Sequence, residues 1–206
     1  MPIKILKLFA VYCCVLFNAS TLPAQADTNI VSLKSIDSTI VQDVRYATTN
    51  NFTGKVLYPS AKVYIRKVVG DELARANEFL KSNYNLRIKI FDGFRPLFVQ
   101  KIMWKILPDE RYVANPAKGS RHNRGAAVDI TLIDDKGTEL EMGTPYDDFT
   151  ELASFAAANI SDASKANRKL LRDTMIKFGF IPLETEWWHF DFNGWNKFSI
   201  LDTTEN

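Results

Sequence analysis

Hydrophobic periodicity divides most of the chain into alternating helices and strands. Apolar residues recur every three to four positions in residues 61–84 and 162–178, which predicts two long helices. A shorter helix is predicted over 96–108, because Pro96 suits the first turn of a helix. Period-two alternation or strand-forming composition predicts strands over 41–48, 87–92, 126–132 and 187–192. The segment 115–124 is predicted to be a loop.

The order of these elements defines the expected fold class. Strands and helices are mixed along the chain, and residues 27–206 contain no internal repeat and no Pro/Ser-rich linker. We therefore predict a single α+β domain with a small, mainly antiparallel sheet covered by helices.

The first 26 residues have the pattern of a secretory signal peptide. Lys4 and Lys7 precede an apolar run over 8–17, and Ala24-Gln25-Ala26 is a cleavage signal of small residues. A membrane anchor fits less well, because a spanning helix needs about 20 apolar residues. We expect residues 1–26 to be removed, leaving a domain over 27–206 that is exported, either periplasmic or secreted.

Removal of this segment changes the composition of the chain. Its two cysteines, Cys13 and Cys14, both lie inside it, and Tyr12 stands where a lipidated cysteine would need a small residue. The formal net charge of +2 also disappears, because Lys4 and Lys7 are lost and 24 Lys and Arg then balance 24 Asp and Glu. Without bulk positive charge, we expect no nucleic-acid partner and no stable membrane insertion.

Both histidines of the sequence lie close to acidic residues. His122 precedes Asp129 by seven residues, and Glu186 precedes His189 by three. A catalytic zinc site uses three imidazole or carboxylate ligands, leaves one position for water, and needs a nearby carboxylate as a base. Alternation places Asp129 opposite the apolar face of its strand, whereas Glu186 can meet His189 only at the strand entrance or at a bulge.

Each of these residues also has a purely structural interpretation. A histidine beside Trp and Phe is often a hydrogen-bonded core residue. Asp129 could cap a turn, and Glu186 could pair with a surface base. Spacing alone leaves the metal site and the structural interpretation about equally open.

Longer motifs resemble a known family. Ser120-x-His122-x-x-Gly125-x-Ala127-x-Asp129, followed by Glu186-x-Trp188-His189, resembles the signature of the zinc D,D-peptidases. The segment Asp92-Gly93-Phe94-Arg95-Pro96 resembles a motif of their VanX-type D-alanyl-D-alanine dipeptidase branch, with Phe94 where that branch has Tyr. The resemblance extends over most of residues 41–190.

The resemblance implies a role for eight residues. The zinc ligands would be His122, Asp129 and His189. Glu186 would be the catalytic acid and base, and Arg95 would stabilise the charged transition state. Ser120, Tyr46 and Asp147 would contact the termini of the substrate, although Asp148 is an alternative to Asp147.

The implied activity is zinc-dependent hydrolysis of D-Ala-D-Ala to two D-alanines, with one zinc ion per chain. Two alternatives stay open at this point. The chain could be a D,D- or L,D-carboxypeptidase that acts on peptidoglycan stem peptides, or a non-catalytic, zinc-folded module that binds the cell wall. The oligomeric state does not follow from the sequence.

Overall fold

The structure is a computed structural model that describes residues 30–201. The predicted signal peptide, 1–26, lies outside the described residues. The helices are α1 (Leu33–Ile36), α2 (Lys67–Tyr84), α3 (Leu97–Ile106) and α4 (Asp162–Lys177). The strands are β1 (Ile30–Ser32), β2 (Val41–Gln42), β3 (Tyr64–Arg66), β4 (Arg87–Asp92), β5 (Ala127–Ile133), β6 (Phe180–Leu183) and β7 (Glu186–Phe192).

Five of the strands form one sheet, in the order β2-β4-β5-β7-β6. The pairing of β2 with β4 is parallel, and the other three pairings are antiparallel. A separate antiparallel pair joins β1 to β3. The predicted fold class, α+β with a small and mainly antiparallel sheet, is confirmed.

The two long helices pack against each other and against the central strands. On β5, Val128, Ile130 and Leu132 are completely buried in the hydrophobic core. Alternation therefore turns Asp129 to the opposite face of the sheet. Ser161 caps the start of helix α4, because its hydroxyl accepts a hydrogen bond from the Ser164 N–H, and the helix ends before Gly179 at φ +83°. None of the helices in the described residues has the length and apolar character of a membrane span.

Two predicted elements have wrong boundaries. The strand predicted over 41–48 pairs with β4 only through Val41–Gln42, and a single helical turn at Arg45–Ala47 then buries Tyr46. The helix predicted over 61–84 begins at Lys67, because Tyr64–Arg66 is β3 and pairs with β1. Ile65 fits the helical pattern, but it is buried equally well as a strand residue. The pairing with β1, which is distant in the sequence, therefore decides the conformation of this segment.

Irregular strand pairing brings the polar side chains together. The register of β4 against β5 shifts between Ile90 and Asp92, so Asp92 pairs with Asp129. On the other side of β5, Asp129 pairs with His189. Cross-strand neighbours share a face of the sheet, so these three side chains stand in one row across three strands.

Candidate metal centre and active site

One side-chain atom from each of His122, Asp129 and His189 lies close to a common centre. The His189 Nδ1 atom lies 3.0 Å from the Asp129 Oδ1 atom and 3.2 Å from the His122 Nε2 atom. The third separation, from His122 Nε2 to Asp129 Oδ1, is 3.4 Å. All three residues are buried. The single helical turn His122–Arg124 supplies the first of them, and strands β5 and β7 supply the others.

The outer ring nitrogens of both histidines have acceptors of their own. His122 Nδ1 lies 2.8 Å from the Gly93 carbonyl oxygen, which can only accept a hydrogen bond. His189 Nε2 lies 3.0 Å from the Asp191 carboxylate. In neutral histidines these contacts place the hydrogen on the outer nitrogen. The inner nitrogens then direct lone pairs at each other and at Asp129, an arrangement that requires a cation.

The cluster fits a tetrahedral metal ion. Ligands at about 2.0–2.1 Å from a tetrahedral zinc are separated by about 3.3 Å, and the three observed separations span 3.0–3.4 Å. Burial raises the pKa of Asp129, but His122 and His189 outweigh it and hold that pKa well below its ordinary value. Burial lowers the pKa of His189, but hydrogen bonds to Asp129 and Asp191 raise it to about 10. A proton therefore takes the place of the cation in the metal-free protein, and metal binding must release it.

Two supporting residues were missed by the sequence analysis. The Tyr146 hydroxyl donates a hydrogen bond to Asp129 Oδ2 at 3.0 Å, and Asp191 accepts the outer N–H of His189. Only Asp191 was accessible in principle, because it lies two residues beyond His189 on the same strand face. Tyr146 directly precedes Asp147, but no pattern connects it to Asp129.

Glu186 is the first residue of β7, and it lines the same cavity as the three metal-binding candidates. Pro182 pairs with Phe190, but Leu183 pairs with Glu186, so three additional residues of β7 bulge between these pairs. The sequence analysis required a strand entrance or a bulge, and the structure contains both. Burial raises the pKa of Glu186 to about 7, despite the opposing effect of His189.

Arg95 is held in place by two buried side chains. Its Nε and Nη2 atoms donate to Asp92 Oδ2 at 3.0 and 2.8 Å, and its Nη1 atom donates to Gln100 at 3.1 Å. The Tyr46 ring lies beneath the guanidinium, 5.2 Å from its central carbon. Burial lowers the pKa of Arg95, but Asp92 and neighbouring tyrosines raise it well above its ordinary value. Arg95 is therefore a permanent, oriented cation whose Nη2 atom lies 3.9 Å from Asp129.

Asp147 and Tyr46 form a pair on the wall of the cavity. The Tyr46 hydroxyl lies 3.1 and 3.2 Å from the two carboxylate oxygens of Asp147. Burial raises the pKa of Asp147 to about 7. Its backbone adopts the left-handed region at φ +61°, which Asp tolerates better than most residues. Asp148 instead lines a neighbouring cavity, so the structure brings Asp147 rather than Asp148 to the metal-binding candidates.

Ser120 also lines this cavity, and its hydroxyl accepts a hydrogen bond from the His122 N–H at 3.2 Å. All eight residues from the sequence analysis thus line one cavity of about 200 Å³. A larger cavity of about 640 Å³ adjoins it and shares the side chains of Glu186, Tyr112 and Phe149, but contains none of the metal-binding candidates. The roles assigned to the eight residues stay predictions.

Comparison with known proteins agrees with this arrangement. Residues 26–200 match the peptidase M15 family model, described as D-Ala-D-Ala dipeptidase. A D-alanyl-D-alanine dipeptidase of Escherichia coli (strain K12) is 34% identical over 164 residues, which cover 80% of this chain and 84% of that protein. A D-alanyl-D-alanine dipeptidase of Enterococcus faecium is 33% identical over 175 residues, covering 72% and 83% of the two chains.

The family model covers nearly all of the described residues, and the two relatives cover 72–80% of the chain, which confirms the family resemblance of the motifs. The family is metal-dependent, and the cluster of His122, Asp129 and His189 could hold a metal ion. A non-catalytic module is therefore the wrong class. The chain belongs to the D-Ala-D-Ala dipeptidase family of metallopeptidases, peptidase M15.

Proposed function

We propose that this protein is a zinc-dependent dipeptidase that hydrolyses D-Ala-D-Ala to two molecules of D-alanine. One observation carries the proposal: three buried ligand atoms converge within 3.4 Å of each other, and the half-buried carboxylate of Glu186 lines the same small cavity. The named relatives are D-alanyl-D-alanine dipeptidases, which supports this substrate.

His122, Asp129 and His189 would hold the metal. Two imidazoles and one carboxylate are a ligand set that suits zinc, and three protein ligands leave a fourth position open. When bound, the ion supplies Lewis-acid activation of the attacking water and of the scissile carbonyl.

Glu186 would move the proton. As the water oxygen attacks the carbonyl carbon, the Glu186 carboxylate accepts a proton from the water. The bond between carbon and nitrogen then breaks, and Glu186 returns the proton to the leaving amine. A pKa raised to about 7 by burial suits both steps, because the group can accept and release a proton near neutral pH.

The two remaining sets of side chains would position the substrate. Arg95 would donate to the oxygen that becomes negative in the transition state, and Asp92 and Gln100 hold it in that orientation. The Asp147 carboxylate with Tyr46 would bind the ammonium group of the dipeptide, and the Ser120 hydroxyl would contact a polar atom of the substrate.

We also propose that the protein acts outside the cytoplasm, as a periplasmic or secreted enzyme without a nucleic-acid partner. The pattern of residues 1–26 supports export. Expression of the full chain followed by fractionation and determination of the mature N-terminus tests this location. A mature protein that retains residues 1–26 in the cytoplasm would contradict it.

The test of the activity uses purified protein of measured metal content. We expect D-alanine release from D-Ala-D-Ala, with about one zinc per chain. A stem pentapeptide serves as the second substrate. If the protein cleaved the pentapeptide but not D-Ala-D-Ala, the dipeptidase assignment would be wrong and the D,D- or L,D-carboxypeptidase alternative would be supported.

A further inference from the structure

A free dipeptide carries a C-terminal carboxylate. None of the residues assigned a role under the proposed function gives this carboxylate a cationic partner. Three cations line the catalytic cavity, namely Arg95, Arg111 and Arg121. Arginine is suited to this contact, because its guanidinium matches the geometry of a carboxylate.

Two of these cations are already engaged. Arg95 is buried, is bound by Asp92 and Gln100, and faces the reacting carbonyl under the proposed function. Arg111 is 75% exposed, and its Nε and Nη2 atoms both contact the Asp109 carboxylate. A carboxylate ligand would have to compete with Asp109 for Arg111.

Arg121 has free donors. Its guanidinium donates no hydrogen bond to any of residues 30–201, and its one ionic contact is from Nε to Asp191 Oδ2 at 3.4 Å. The guanidinium carbon lies 4.7 Å from the centre of the Trp195 ring, which holds the side chain by a cation–π contact. Both Nη atoms are thus available on a side chain that is already positioned.

The location of Arg121 complements that of Asp147. Tyr146, the neighbour of Asp147, hydrogen-bonds Asp129, whereas Asp191, the ionic partner of Arg121, hydrogen-bonds His189. Asp147 is therefore connected to the metal-binding cluster on the side of Asp129, and Arg121 on the side of His189. A dipeptide with its ammonium group at Asp147 would direct its carboxylate away from that anionic residue.

We propose that Arg121 binds the carboxylate of the dipeptide through its Nη atoms and so selects substrates with a free C-terminus. This inference rests on the proposed function. The adjacent Ser120 hydroxyl would complete the contact, because Ser120 lines the same cavity.

The test combines an Arg121→Gln variant with two substrates, D-Ala-D-Ala and its C-terminal amide. For the wild type, kcat/KM should be about tenfold to a hundredfold lower with the amide than with the acid, as expected for loss of one charged hydrogen-bonded contact. Arg121→Gln should lower kcat/KM for the acid by a similar factor, mainly through KM. It should change kcat/KM for the amide by less than about threefold.

Three controls separate binding from structural effects. Arg121→Lys should recover part of the loss for the acid, and Arg111→Gln should leave both substrates unaffected. Zinc content should be unchanged in Arg121→Gln. If Arg121→Gln lowered kcat/KM equally for the acid and the amide, or lowered it for neither, the assignment of Arg121 would be overturned. A wild type that cleaves neither substrate would instead overturn the proposed function itself.

Discussion

Asp129 and Glu186 are two carboxylates that line one cavity but differ in the direction of their pKa shifts. Both Asp129 oxygens have partners, since Oδ1 faces the two histidines and Oδ2 accepts the Tyr146 hydroxyl. The Glu186 carboxylate accepts no hydrogen bond from any of residues 30–201. Burial raises the pKa of each, but only at Asp129 do the partners outweigh it. The comparison teaches that hydrogen-bond partners, rather than depth, separate a permanent ligand from a proton carrier.

Replacement of the first carboxylate should have the largest effect. Asp129→Asn removes the anion among the metal-binding atoms, so we expect loss of bound zinc and a fall in D-alanine release of more than about 10⁴-fold. Metal analysis together with the dipeptide assay measures both. Asp148→Asn, next to the cavity, is the control and should retain both properties. Asp129→Asn protein with one zinc and normal turnover would refute the role of Asp129.

Replacement of the second carboxylate should separate metal binding from turnover. Glu186→Gln retains shape but cannot exchange a proton, so we expect zinc to stay bound and kcat to fall about 10²- to 10⁴-fold. Glu184→Gln, which removes a surface partner of Arg172, is the matched control. Turnover of Glu186→Gln within a few-fold of the wild type would require a different base.

A smaller change should make Asp129 more like Glu186. Tyr146→Phe deletes the hydroxyl that donates to Asp129 Oδ2, and loss of such a supporting contact lowers metal affinity about tenfold to a hundredfold. Competition with a chelator measures the affinity. Tyr112→Phe should leave the affinity unchanged, because its hydroxyl has no hydrogen-bond partner among the described residues. Equal affinities for Tyr146→Phe and wild type would show that Oδ2 needs no donor.

The last effect concerns stability without metal. The folded-state pKa of Glu186 is about 7, above its ordinary value of 4.5. The unfolded chain therefore loses this proton first as pH rises, and the free energy of unfolding decreases between about pH 4.5 and 7. Glu186→Gln removes this penalty, so the metal-free variant should be more stable than wild type by about 3 kcal/mol at pH 8 and equally stable at pH 4. Urea unfolding at both pH values measures the free energy of unfolding. A variant with the same free energy of unfolding as the wild type at pH 8 as well as at pH 4 would contradict the raised pKa of Glu186.

The elements that depend on local periodicity were predicted from the sequence. Strand β4 has the predicted bounds, and helices α2 and α4 end at or within one residue of the predicted positions. The two histidines and their acids were identified because they stand in short, dense patterns, whereas Arg95, Ser120, Tyr46 and Asp147 were identified only through the resemblance to the family. Asp129 lies on the face opposite the apolar residues of β5, as alternation requires.

The remaining features depend on contacts between distant segments. Tyr64–Arg66 becomes a strand because Ile30–Ser32 pairs with it, and no pattern within residues 61–84 encodes that partner. Strand β6, Phe180–Leu183, was not predicted, because only four residues follow Gly179 before the next turn. The hydroxyl of Tyr146 reaches Asp129 across 17 positions of the chain. Contacts of this kind follow from tertiary packing rather than from local spacing.

The most direct measurement follows D-alanine release from D-Ala-D-Ala while zinc is added back to metal-free protein. If the three converging side chains form the catalytic metal centre, activity should be absent without zinc, rise in proportion to bound zinc, and reach its plateau at one equivalent. Undiminished D-alanine release from protein that contains no metal would contradict this account.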